Sequence, residues 1–295
     1  GQKAVIRYDL NGKVEGFIIN YSDSDTESVI GRTSDNGFII YSDDKKIIKY
    51  NSDMQKEWEK DCDNKISEIN LVSDNGYIVI DEVSNVMKYS SNWELEWQKK
   101  ENVNLSLSEE TNDGGLIFTG YTYNDEIKLS NGKVLKIQNK TSRDSTGVVI
   151  KYNEKGEIEF AGTIGDKQGT GIFRAYEDAN KNIKIIANIS NDSITLDDGN
   201  IIEANRGIIG TLGEKEVKNE EVVQSNIIEG SENEIITSTS KCNDGGIVIG
   251  GRTDSNDIDL GNGVKVKGPG ALIIRYGIDG NVKWKKIIEN CNEIE

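Results

Sequence analysis

The chain contains no histidine, and that absence excludes more than any motif present establishes. Without imidazole there is no Ser-His-Asp or Cys-His nucleophilic system, no His-ligated zinc or iron, and no histidine general base. Cysteine is scarce, with three residues (Cys62, Cys242 and Cys291) and no Cys-x-x-Cys pair, which argues against a structural zinc site. Cys62 and Cys291 fall at equivalent places in the repeats described below, too many repeats apart for a disulfide, so free thiols are expected. No run of about 18 apolar residues exists, so no segment is expected to span a membrane, and no signal peptide stands at Gly1. No stretch keeps a 3.6-residue apolar period, which predicts almost no helix. Positive charge is in deficit, with 35 Lys and Arg against 51 Asp and Glu and a net charge of −16. The bases are scattered rather than striped, so nucleic acid is excluded as a partner by repulsion of its phosphates.

What is present is repetition. One landmark is a polar turn followed by an apolar strand: Ser34-Asp35-Asn36-Gly37, Ser73-Asp74-Asn75-Gly76, Asn112-Asp113-Gly114-Gly115, a worn copy at Asn180-Lys181-Asn182, and Asn243-Asp244-Gly245-Gly246. Asn-Gly and Gly-Gly supply the positive φ angles of a two-residue hairpin. The second landmark is a Tyr eight residues before an aromatic: Tyr50 and Trp58, Tyr89 and Trp97, Tyr152 and Phe160, Tyr276 and Trp284. Tyr8 and Gly16 keep the spacing but not the ring. An even spacing predicts that both rings share one face of a two-stranded ribbon, where they pack neighbouring sheets.

These landmarks predict four-stranded meanders over about 20–62, 63–103, 104–165, 166–224 and 225–290, preceded by a half unit at 1–19. The last three carry about 20 extra residues between strands two and three, each an expected projecting hairpin: 124–132, 191–199 and 256–263. Four-stranded repeats of this length predict an all-β propeller, a single domain of about six positions whose N-terminal blade is incomplete. The low hydrophobic share, 35%, suits thin sheets with polar edges. The unfinished blade predicts a fragment of a longer protein, with any export signal upstream of Gly1.

The pattern Thr/Ser-x-Asp-Gly-Gly-x-Ile-Val-x-Gly, then Ala-x-Ile-Ile-x-Tyr-x-x-x-Gly-x-Val-x-Trp, is best formed from Asn243 to Trp284 and next best from Asp113 to Phe160. It resembles the β-propeller repeats of secreted and cell-surface bacterial proteins. The resemblance covers nearly the whole chain and implies an extracellular or cell-surface location and binding or adhesion in general terms, since such folds host many functions.

Candidate site residues follow from aligning the blades. Three residues before each turn Asp or its equivalent stand Arg32, Leu71, Glu110, Glu177 and Lys241. They are expected near one mouth of a central channel, either neutralising one another or forming a polar ligand site. Trp93 aligns with Gly280 at a turn tip, where an exposed indole suits sugar stacking or a protein contact, unless it packs onto the next blade. Tyr121 and Tyr123 open the first insertion and could extend such a platform. Asp254, Asp257 and Asp259 have the ligand type of a calcium site but not EF-hand spacing, and no metal or cofactor is expected. Three readings stay open. The first is a non-catalytic recognition module for a glycan or an extracellular protein. The second is a carboxylate glycosidase or its accessory propeller, although the sialidase Asp-box is not met at any turn. The third is a structural stalk without a specific ligand.

Overall fold

The computed structural model describes residues 2–8, 11–21, 30–42, 45–137, 145–164, 170–178, 181–189, 194–195, 201–202, 206–212, 222–289 and 291. The expected hairpin at 191–199 and the worn turn at Asn180 fall partly outside them. The chain forms two compact units, Gly1–Glu101 and Asn102–Glu295. Every element among the described residues is a strand. No helix among those residues is long and apolar enough to cross a membrane.

The first unit holds an N-terminal hairpin, Gln2–Tyr8 with Val14–Tyr21, and two four-stranded antiparallel meanders. Blade one comprises Ile30–Arg32, Phe38–Ser42, Lys46–Tyr50 and Lys56–Asp61. Blade two comprises Ile66–Leu71, Tyr77–Asp81, Asn85–Tyr89 and Leu95–Lys100. The second unit holds three more. Blade three is Asn104–Glu110, Leu116–Thr122, Thr146–Tyr152 and Ile158–Ile164. Blade four is Thr170–Glu177, Ile183–Ile189, Arg206–Leu212 and Val222–Ile228. Blade five is Glu234–Lys241, Ile247–Thr253, Gly270–Tyr276 and Val282–Ile288. Two-stranded hairpins (Glu126–Lys128 with Val134–Lys136, Ile194–Thr195 with Ile201–Ile202, Asp257–Asp259 with Lys265–Lys267) interrupt blades three to five between strands two and three, where the extra residues predict them. The strand Val222–Ile228 runs across the expected blade boundary at 224/225.

Strand position in the blade follows hydrophobic pattern. Tyr77–Asp81 and Thr146–Tyr152 are buried at every residue, because the middle strands are covered on both faces and so read as continuous apolar runs. Fourth strands such as Lys56-Glu-Trp-Glu-Lys-Asp61 are largely exposed and charged, as suits an outer edge that must not recruit further strands. The cores lie between blades. In the first unit Ile39 and Ile47 of blade one pack with Ile66, Ile69, Tyr77 and Val79 of blade two. In the second, Ile117, Val149 and Phe160 meet Ala175, Ile183 and Ile185, and Ile186 and Ile228 meet Ile249 and Leu272.

The turns differ from the expected two-residue type. The Thr33 amide bonds to the Gly37 carbonyl and the Asn36 amide to the Thr33 carbonyl, both at 3.2 Å. Among the described residues one loop residue per copy takes positive φ: Asn36, Asn75, Gly114, Lys181 and Gly245. This is an i-to-i+3 turn closed by a left-handed residue. The following glycine serves close approach instead, since a Cβ on Gly76 would lie 2.5 Å from the Tyr89 carbonyl oxygen.

The faces of the Tyr-aromatic pair also differ from expectation. Trp58 lies opposite Lys49, not Tyr50, and Trp284 opposite Arg275, because the register slips one residue beside the turn. The slip reverses side-chain parity. Tyr276 therefore packs back against Ile186 and Ile228 of blade four, while Trp58 points forward to blade two.

The cation before each Tyr forms a repeated bridge absent from the sequence expectations. Lys49 donates to Asp35 and Glu57, each at 2.7 Å. Lys88 joins Asp74 and Glu96 in the same way, and Arg275 joins Asp244. The other oxygen of each Asp accepts the glycine amide of its turn, as Asp74 does from Gly76 at 2.8 Å. A Lys eight residues before a Glu, flanking the Tyr-aromatic pair, was the legible signal. The Lys49 hydrogen bond, with help from Thr33, holds the Asp35 carboxyl down at about 2.

Gly76→Ala should lower stability by about 1–3 kcal/mol in urea melts, since the added methyl meets backbone. Carboxylates held below their ordinary value contribute stability that is complete above about pH 4 and is lost as pH falls toward 2. The urea midpoint should therefore drop over that window, and Lys49→Met should shrink the drop; an unchanged midpoint from pH 5 to 2.5 would contradict the bridges.

Candidate functional site

Each of the five aligned positions closes the first strand of its blade, paired with the first residue of strand two, as in Leu71 with Tyr77 and Lys241 with Ile247. In the first unit Arg32 is exposed, whereas Leu71 packs into the core between blades one and two. In the second unit Glu177 turns to blade three and pairs with Lys151, which also holds Glu159 at 3.0 Å. Burial opposes the Lys151 charge, but hydrogen bonds to Glu177 and Glu159 outweigh it and raise its pKa.

Lys241 is met by Glu109, not Glu110. A first strand lies between two blades, so consecutive side chains face opposite neighbours. The first strand of blade three bulges between Leu107 and Glu109, two pairs nearer the turn than the bulges of blades two, four and five. There Ser108 donates to the Ala175 carbonyl and accepts the Ala175 amide, both at 2.7 Å, which stitches blade three to blade four. Glu109 turns the same way and reaches Arg174 at 3.3 Å as well as Lys241. Glu110 stands half-buried outside this cluster. Sequence reasoning missed Glu109 and Arg174 because strand periodicity does not locate a bulge. Two adjacent acids, of which one must turn inward, and an Arg in an apolar strand were the available signals.

Glu109 and Glu177 each accept from cations. Nearby, burial, Asp178 and Glu109 push the Tyr176 hydroxyl up to about 12.

Trp93 is a correction. It stands at the tip with φ 61°, the place taken by Gly156 and Gly280 in later blades, but its side chain is only 6% exposed. It stacks on Tyr89, with ring centroids 4.7 Å apart, and meets the ring of Trp58 of blade one at a tilt, 5.3 Å away. Lys60 bonds to its carbonyl at 3.3 Å. Burying the indole over the preceding blade outweighs the left-handed backbone, so it offers no free stacking face. One blade earlier, Met54 holds the equivalent place. A Cβ on Gly16 would lie 2.5 Å from its sulfur, so Gly16 replaces the ring where Met54 fills the space.

Tyr121 and Tyr123 stand as expected at the root of the blade-three insertion, 43% and 60% exposed. Their rings meet edge to face, with centroids 5.6 Å apart. In blade five, Asp257 pairs with Lys267, Asp254 lies 3.6 Å from Arg252, and Asp259 accepts the Gly261 amide at 2.9 Å. Each of these three carboxylates is thus engaged by the protein itself. An open cleft of about 550 Å³ lies beside Asp254, lined also by Arg252, Pro269 and Glu289. The three cysteines are free, and burial followed by Asp61 and Asp63 pushes the Cys62 thiol up to about 11.

No family model matches the chain, and no curated protein matches it. Among solved structures it is similar to the complex of KlAtg21 with the coiled-coil of AgAtg16, at 15% identity, covering 93% of this chain and 86% of that one with a TM-score of 0.50. It is also similar to BamB from Moraxella catarrhalis, at 12% identity over 95% and 89% of the chains, TM-score 0.43. A third is the Pan2 WD40 domain of Neurospora crassa, at 9% identity over 88% and 65%, TM-score 0.42. The fold is a β-propeller.

Trp93→Ala should cost about 3–5 kcal/mol of stability, read as a lower urea midpoint. A variant as stable as the parent would return Trp93 to the candidates for ligand stacking.

Proposed function

We propose that this chain is a non-catalytic recognition module of a bacterial surface protein, a single propeller domain working outside the cell and binding a glycan. The observation that carries this reading is the Tyr121–Tyr123 pair. Two large rings stand edge to face and half in solvent at the base of a projecting hairpin. Amphipathic rings held in that way suit the apolar face of a sugar, with the hydroxyls bonding to its polar edge. The charged cluster supports a binding role over a hydrolytic one, because its carboxylates are engaged by cations and the chain has no histidine. The resemblance of the repeats to secreted and cell-surface propellers favours the extracellular setting. A host or matrix protein is the alternative ligand, since exposed tyrosines also anchor protein interfaces.

The test is an array of glycans with extracellular-matrix proteins printed beside them, probed with the labelled chain. A saturable glycan signal is expected, falling at least tenfold in the Tyr121→Ala/Tyr123→Ala variant at unchanged melting temperature. A signal on matrix proteins alone would favour the alternative ligand. A blank from folded protein would leave the stalk reading in its place.

A further inference from the structure

The Glu109, Arg174 and Lys241 cluster is charged out of balance. Two cations from blades four and five converge on one carboxylate from blade three. Glu109 is deeply buried, its side chain only 5% exposed, so its charge must be matched inside the protein. One cation would match it. Arg174 and Lys241 are instead 22% and 34% exposed, which leaves both open to solvent on one side. Among the described residues, Glu177 is joined to Lys151 and Asp178 lies 3.7 Å from Lys184.

The Arg174 guanidinium is also under-used. It gives Nη2 to Glu109, but its Nε is buried and finds no acceptor among the described residues. A buried N–H without a partner costs about 1–3 kcal/mol, and native proteins keep few of them without a reason. Tyr176 lies two residues along the same strand, and its hydroxyl senses Asp178, Glu109 and Arg174. The cluster thus presents a guanidinium edge, an ammonium and a nearby phenol within a protein of net charge −16.

We propose that Arg174 and Lys241 bind a singly charged oxyanion, a carboxylate or sulfate ester such as acidic sugars carry, with Glu109 holding the two cations in place. A monoanion brings the cluster to neutrality. A phosphate monoester, carrying more than one negative charge beside Glu109, fits less well. The site uses blades three, four and five and is built from residues other than the tyrosine pair, so it stands or falls apart from the recognition surface at the insertion.

The test is a calorimetric titration of the intact chain with glucuronate, glucose 6-sulfate, glucose and inorganic phosphate. Saturable binding of glucuronate or the sulfate ester is expected, with none for glucose and weaker binding for phosphate. Raising the salt should weaken it. Arg174→Gln and Lys241→Gln should each reduce affinity about tenfold, as loss of a charge-assisted hydrogen bond does. Tyr121→Ala/Tyr123→Ala should leave it unchanged. Lys241, a third exposed, can be replaced without emptying a core, so its variant remains informative if Arg174→Gln is poorly folded. The proposal is overturned by any of three results: no saturable binding of either monoanion, undiminished binding in the folded Lys241→Gln protein, or phosphate binding more tightly than both.

Discussion

The second strands of blades one, two, three and five are largely buried on both faces, and neither face can be left in water. Each sheet must therefore be covered by the blades beside it, and the interface between blades becomes the organising constraint of each unit. Side chains of the third and fourth strands and of the turn between them do the sealing: Trp58 and Trp93 between blades one and two, Phe160 between three and four, Tyr276 between four and five. Where a ring is missing its neighbour fills the space, as Met54 does over Gly16. Polar groups trapped at these seams are satisfied pairwise. Ser108 bonds both backbone groups of Ala175, and Asn188 bonds both backbone groups of Ile236.

Charge obeys the same constraint. At the hairpin ends, where sheets meet solvent, a Lys or Arg on strand three ties the turn Asp to its own blade, and in blades one and two to the fourth strand as well. In blade three the bridge spreads to the next blade, with Lys151 joined to Glu177 and Asp113 to Lys181 at 2.9 Å. These pairs are satisfied within the fold and leave little for a ligand. The Glu109 cluster departs from that pattern because it joins three blades with one carboxylate and two cations. Its charges are set by contacts across blade seams.

The fold was legible because it repeats. Turn residues with positive φ and apolar strands recur on every blade, and a constant Tyr-to-aromatic spacing on four of the five, so that the copies support one another. Strand order, the place of the inserted hairpins and the absence of helix among the described residues follow from those local rules. The Tyr121–Tyr123 pair was also legible, because residues opening an insertion are exposed by position. Two of the errors share one origin, a single-residue slip in register. The slip beside the turn sends the Tyr and its aromatic to opposite faces, and the bulge at Ser108 turns Glu109 inward in place of the expected Glu110.

The amino-acid sequence by itself therefore determined the blades, their strand order, and the exclusion of histidine chemistry, since turn chemistry, period-two patterning and composition are local properties. Tertiary structure alone decided which face each side chain takes, that Trp93 is buried, and which carboxylate meets Arg174 and Lys241. Those outcomes depend on bulges and on packing against residues 33 to 132 positions away, and no local pattern encodes the position of so distant a neighbour.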